Sequence, residues 1–110
     1  MEKIIPEITN GRKYFNNTDL RIMVSENYTD VEGWHKHNHI DQIIYVVGGS
    51  VEVTSETGCE VLTTGKSVNI PAGEHHIVRE RETNTNILVI KYISTGVNVI
   101  KDIENDYIKG

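Results

Sequence analysis

Between residues 20 and 94 the chain is cut into short segments in which apolar and polar residues alternate, each stopped by a glycine, a proline or a polar turn. That pattern constrains the fold more than any other feature. Period-two alternation gives a strand one core face and one solvent face, and the frequent stops demand tight reversals. Segments 20–24, 34–39, 42–47, 50–55, 59–64, 67–70, 75–81 and 86–94 read as strands. Gly48-Gly49 tolerates positive φ and marks a hairpin, and Glu56-Thr57-Gly58 turns the chain again. About eight short strands joined by glycine-rich turns specify an all-β sandwich or closed barrel.

At 110 residues, folding buries roughly two-thirds of the surface of the unfolded chain. That suffices for one core and not for two, so residues 1–110 read as a single domain with its core over about 20–94. Segment 86–94 adds a requirement: Ile87, Val89 and Ile93 fall on one face and Leu88, Ile90 and Tyr92 on the other. A barrel interior covers only one of these faces. The second must be covered by the N-terminal arm (Ile4, Ile5, Ile8), the C-terminal segment or another subunit, and a homodimer is the expectation. Ile100, Ile103 and Tyr107 recur at helical spacing, which admits a short C-terminal helix.

Charge and cysteine usage narrow the partners. Eleven Lys and Arg against sixteen Asp and Glu give a net charge of −5, which repels phosphate backbones and anionic lipid, so neither nucleic acid nor a membrane is expected as a partner. The longest apolar run, 43–47, is far too short to span a bilayer. Cys59 has no second cysteine to pair with, which fits a cytoplasmic protein, and it reads as a small buried hydrophobe.

All five histidines lie in two clusters, His35-Lys36-His37-Asn38-His39 and His75-His76. Residues two apart on a strand share a face, so His35, His37, His39 and Asp41 would present to one side if the strand runs that far. Imidazoles and a carboxylate on one wall, with a histidine from another strand, suit a first-row transition metal. A solvated or partner-contacting edge is the other reading of such a run.

The spacing of these residues resembles the two motifs of the cupin superfamily. The first runs His-x-His, three or four residues, an acid, six residues, Gly; here it is His35-Lys36-His37, Asn38-His39-Ile40, Asp41, residues 42–47 and Gly48. The second runs Gly, five residues, Pro-x-Gly, two residues, His; here it is Gly65, residues 66–70, Pro71-Ala72-Gly73, Glu74-His75 and His76. The motifs cover residues 35–76, and the flanking strands extend the likeness to most of the chain. It implies a double-stranded β-helix (jelly-roll) barrel holding one divalent transition metal (Fe, Mn, Ni, Zn or Cu) on His35, His37, Asp41 and His76.

Three positions depart from the family pattern. Asp41 stands where Glu is usual and is one methylene shorter, so it either ligates the metal or supports a ligand. Thr29 replaces the leading Gly, and Glu80 the terminal Asn. With Asp41 and His76 facing inward, alternation turns Ile43, Tyr45, Val47, Val51, Val53, Val78 and Glu80 into a mostly apolar cavity and points His75 outward. Trp34, Tyr45 and Tyr92 are the aromatics expected near it, and His39 and Tyr45 are the candidate catalytic residues. The resemblance implies a metalloenzyme acting on a small organic molecule held in the barrel, of dioxygenase or lyase/isomerase type. The alternative is a non-catalytic small-molecule binding or sensing module.

Overall fold

The computed structural model describes residues 5–9, 11–16, 20–93 and 108–109. Among them every regular element is a strand: β1 (Glu7–Thr9), β2 (Arg12–Asn16), β3 (Leu20–Ser25), β4 (His35–Lys36), β5 (Ile40–Gly48), β6 (Ser50–Ser55), β7 (Gly58–Thr63), β8 (Ser67–Ile70), β9 (His76–Glu80), β10 (Asn86–Ile93) and β11 (Ile108–Lys109). Two antiparallel sheets result, one ordered β1-β2-β3-β10-β5-β8 and the other β11-β4-β9-β6-β7. From β4 onward the chain passes repeatedly from one sheet to the other, which is the double-stranded β-helix. Met23, Ile44, Ile87 and Val89 of the first sheet pack against Val51, Val53, Leu62 and Val78 of the second to form the core. No helix among the described residues is long and apolar enough to cross a membrane. The helical spacing at Ile100, Ile103 and Tyr107 lies outside the described residues.

Two expectations about local geometry are corrected. Gly48-Gly49 is not a hairpin turn, because β5 pairs with β10 and β8 whereas β6 pairs with β7 and β9. It is the corner where the chain changes sheets. Gly49 has φ +87°, and a Cβ there would lie 2.5 Å from Thr85 Oγ1 and 2.9 Å from Thr85 Cα, so neither the backbone angle nor the space admits another residue. Likewise the segment 34–39 is not one strand. It pairs only at His35–Lys36, then bends through Asn38 and His39 as it crosses to the other sheet and restarts at Ile40.

That crossing resets the alternation. In β5 the buried residues are Ile40, Gln42, Ile44 and Val46, while Tyr45 is 38% and Val47 52% exposed. Asp41, Ile43, Tyr45 and Val47 therefore face outward, the reverse of the expectation. A slip of one residue moves a strand's whole set of side chains to the other face. Elsewhere the phase is as expected: Val51, Val53 and Val78 are buried, although Glu80 at the end of β9 is exposed.

The outer face of the six-stranded sheet is apolar. Leu88 pairs with Val24 on one side and Tyr45 on the other, and Ile90 with Ile22 and Ile43. Leu88, Ile90 and Tyr92 are half-buried. Of the N-terminal arm, Ile5 and Ile8 stay 87% and 65% exposed, since β1 and β2 extend the sheet edge instead of folding over its face.

Candidate metal centre

Strands β4 and β9 pair at a single point, His35 opposite His76, and bring the two rings to 4.3 Å between centroids. His37 follows β4 in the crossing, its ring 5.0 Å from His35 and 5.6 Å from His76. The crossing is pinned by the Pro71-Ala72-Gly73 turn, where the Gly73 N–H donates to the His37 carbonyl at 2.6 Å. One nitrogen of each ring lies within 4.8 Å of the others, and all three residues are buried, at 7%, 4% and 1% exposure.

The surroundings select the neutral, metal-ligating form of the His35 and His76 rings. His35 Nδ1 donates to the Gly33 carbonyl at 2.7 Å and His76 Nδ1 to the Glu74 carbonyl at 3.0 Å. A carbonyl only accepts, so each Nδ1 carries the proton and each Nε2 keeps its lone pair; fixing the tautomer this way is typical support for a ligating histidine. Burial lowers the pKa of His35, and it pushes His76 down to about 4. Gln42, inward on β5, donates its amide Nε2–H to His76 Nε2 at 2.6 Å. Three buried imidazoles, two of them backed by backbone carbonyls, form a donor set suited to a divalent transition metal. The histidine triad can hold one.

Asp41 is not part of this group. It stands on the outward face of β5, and its Oδ1 accepts from the Ala72 N–H at 2.6 Å, clamping the Pro-Ala-Gly turn to the start of the strand. The motif admits three or four residues before its acid, and the structure follows the longer spacing: the inward position is Gln42, and the glycine seven places on is Gly49. His39 is exposed in the bend and Tyr45 lies on the outer face, so neither candidate catalytic residue lines the site. Trp34 stacks on His75, with ring centroids 5.8 Å apart and planes 8° from parallel, and His75 Nδ1 meets Glu56 Oε1 at 2.8 Å. Tyr92 donates to Asn69 Oδ1 at 3.2 Å. Cys59 is exposed on β7, not buried.

Sequence reasoning missed most of the cavity beside the triad. It is lined by His35 and Gln42 together with Arg12, Tyr28, Glu32 and Lys91, over apolar residues of both sheets, and is a narrow cavity with about 30 Å³ of room for water, partly open to solvent. Arg12 donates to Glu32 Oε1 at 2.6 Å and to the Thr29 carbonyl at 2.9 Å. Desolvation works against ionising Glu32, but the Arg12 guanidinium outweighs it and holds the carboxyl below its ordinary value. Tyr28 donates to the Val78 carbonyl at 2.8 Å. Lys91 was legible: it shares the phase of Ile87 and Val89. Arg12 and Tyr28 sit in segments without a strand signal.

A family model described as Cupin domain matches residues 22–91. No curated protein matches the sequence. Among solved structures the chain is similar to KdgF from Halomonas sp., with TM-score 0.66 and 22% identity over 80% of this chain and 85% of that one. It is similar to a cupin protein from Bacteroides fragilis, with TM-score 0.66 and 14% identity, covering 88% of this chain and 90% of that one. It also resembles the DMSP lyase DddQ from Ruegeria pomeroyi, with TM-score 0.61 and 21% identity over 76% of this chain and 43% of that one. At these identities the likeness is one of fold.

Proposed function

The chain belongs to the cupin family, and on that footing we propose that it is a metalloenzyme acting on a small organic molecule, with His35, His37 and His76 as metal ligands and Gln42 as the fourth once its amide rotates to present Oε1 in place of the Nε2–H that now meets His76. The observation that carries the reading is the convergence of three buried imidazoles on one point, two of them held neutral by burial and by Nδ1–H bonds to backbone carbonyls. The bound ion would supply Lewis acidity, polarising a substrate carbonyl or carboxylate. The donor set bears on the reaction class. Two histidines and a carboxylate are the usual set for oxygen activation at non-haem iron. Here the inward position carries an amide, so the ion keeps its full charge, and lyase or isomerase chemistry fits better than dioxygenation. Arg12, Glu32 and Tyr28 hold one another and the loop 26–33 in place around the cavity, which shapes the pocket and limits water.

We also propose a homodimer formed through the outer face of the six-stranded sheet, around Leu88, Ile90 and Tyr45, with the protein working in the reducing cytoplasm. The metal reading is tested by elemental analysis of protein purified without a chelating tag. About one equivalent of a divalent transition metal is expected, retained in Asp41→Ala and lost in His37→Ala. Loss in Asp41→Ala but not in His37→Ala would overturn the ligand assignment.

A further inference from the structure

The segment 26–34, between β3 and β4, forms no regular element, and its order comes from the strands around it. At its start the Asn27 N–H donates to Asn86 Oδ1 at 3.0 Å and the Tyr28 N–H to the Thr85 carbonyl at 2.7 Å, while the Tyr28 hydroxyl reaches the Val78 carbonyl. Further on, the Asp30 N–H donates to Glu80 Oε2 at 2.9 Å. Arg12 of β2 adds a second hold: one guanidinium nitrogen donates to Glu32 Oε1, another to the Thr29 carbonyl, and the group lies 5.2 Å from the centre of the Tyr28 ring. Arg12 is 5% exposed, and a charge so buried persists only where its partners compensate it. Thr29 and Glu80, two of the departures from the cupin motifs, both take part, the first through its carbonyl and the second through its carboxylate.

Near the end of the segment, Gly33 is held from both sides. Its N–H donates to Asp30 Oδ1 at 3.1 Å, its φ is +70°, and its carbonyl accepts the His35 Nδ1 proton at 2.7 Å. Glu32 is the residue before it, so the ion pair with Arg12 sits one residue away from the carbonyl that fixes the His35 tautomer. His76 is backed separately, by the Glu74 carbonyl at the end of the turn that follows β8. We propose that Arg12 is a positioning residue for His35: it holds Thr29 and Glu32, these hold the Gly33 carbonyl, and that carbonyl keeps the proton on Nδ1 and the lone pair on Nε2. Losing the group that orients a ligating histidine typically costs about 10- to 100-fold in metal affinity. The proposal rests on the metal-centre reading above and goes beyond it by giving a role to a residue outside the ligand set.

The test follows the imidazole N–H protons of the full chain, labelled with ¹⁵N-histidine, by NMR before metal is added, and then titrates Zn²⁺ against a chelating dye. In the wild type the His35 and His76 Nδ1 protons are both expected to exchange with water slowly enough to be observed. Arg12→Met should speed exchange at His35 by roughly tenfold, leave His76 within about twofold, and weaken Zn²⁺ binding about tenfold. Arg12→Lys keeps the charge and should retain most of the protection. Glu80 is exposed, so Glu80→Ala should fold, and it should speed exchange at His35 alone by a smaller factor; it decides the matter if Arg12→Met does not fold. His35 exchange unchanged in the folded variants, or His35 and His76 accelerated alike, overturns the proposal and leaves the metal reading standing. A wild type that takes up no metal overturns both.

Discussion

At the scale of single residues, the decisive pair is Asp41 and Gln42. The motif spacing admits either at the ligand position, and the acid is the obvious choice until the strand phase is known. The burial of Ile40, Ile44 and Val46 settles that Gln42 faces inward, and Asp41 is left to hold the Ala72 N–H. The three histidines were legible because both motifs fix them relative to glycines and a proline. The phase of β5 was not, because it depends on a bend at Asn38 and His39 that carries no glycine or proline to announce it. His76 also sets a pH dependence. Its folded-state pKa, about 4, lies below the roughly 6.5 of an unfolded histidine, so below pH 6.5 the unfolded chain binds a proton that the native protein refuses. Metal-free protein should therefore lose stability as pH falls from about 6.5 toward 4, with no further loss from this group below that, and His35 contributes in the same direction. By pH 5 the His76 share is about 2 kcal/mol, read as a drop in the urea midpoint that is blunted in His76→Gln. A midpoint equal at pH 7 and pH 5 would contradict the buried neutral rings.

At the scale of elements, the strands with strong alternation were found to within a residue or two: β6 and β8 coincide with their expected segments, and β10 starts where expected. β1 and β2 were missed. The first is exposed along its whole length and has no core face to impose alternation, and the second buries Arg12 where an apolar residue would have signalled a strand. β10 shows how two apolar faces on one strand report two different partners. Ile87 and Val89 meet the opposite sheet, while Leu88 and Ile90 join Ile43, Tyr45, Ile22 and Val24 on the outside. Fully burying side chains of this kind contributes about 1.5–3 kcal/mol each, and a two-fold axis repeats the gain. Light scattering at micromolar concentration should give twice the chain mass of 12.5 kDa, and Ile90→Glu should return it to that single mass. A wild type already at 12.5 kDa would contradict the dimer.

At the scale of the whole molecule, the two sheets divide the work. The five-stranded sheet brings His35 and His76 together on neighbouring strands, and the six-stranded sheet supplies Gln42 and Lys91 from across the barrel. The crossing between them carries His37 and is locked by the turn that belongs to the second motif. The histidine cluster thus forms only when both sheets are in register, and the corner at Gly49 against Thr85 helps fix that register. X-ray absorption at the edge of the bound metal tests this account most directly. Three imidazoles at about 2.0–2.2 Å, with only oxygen or nitrogen completing the shell, is the expected result. A sulfur shell, or fewer than two imidazoles, would contradict it.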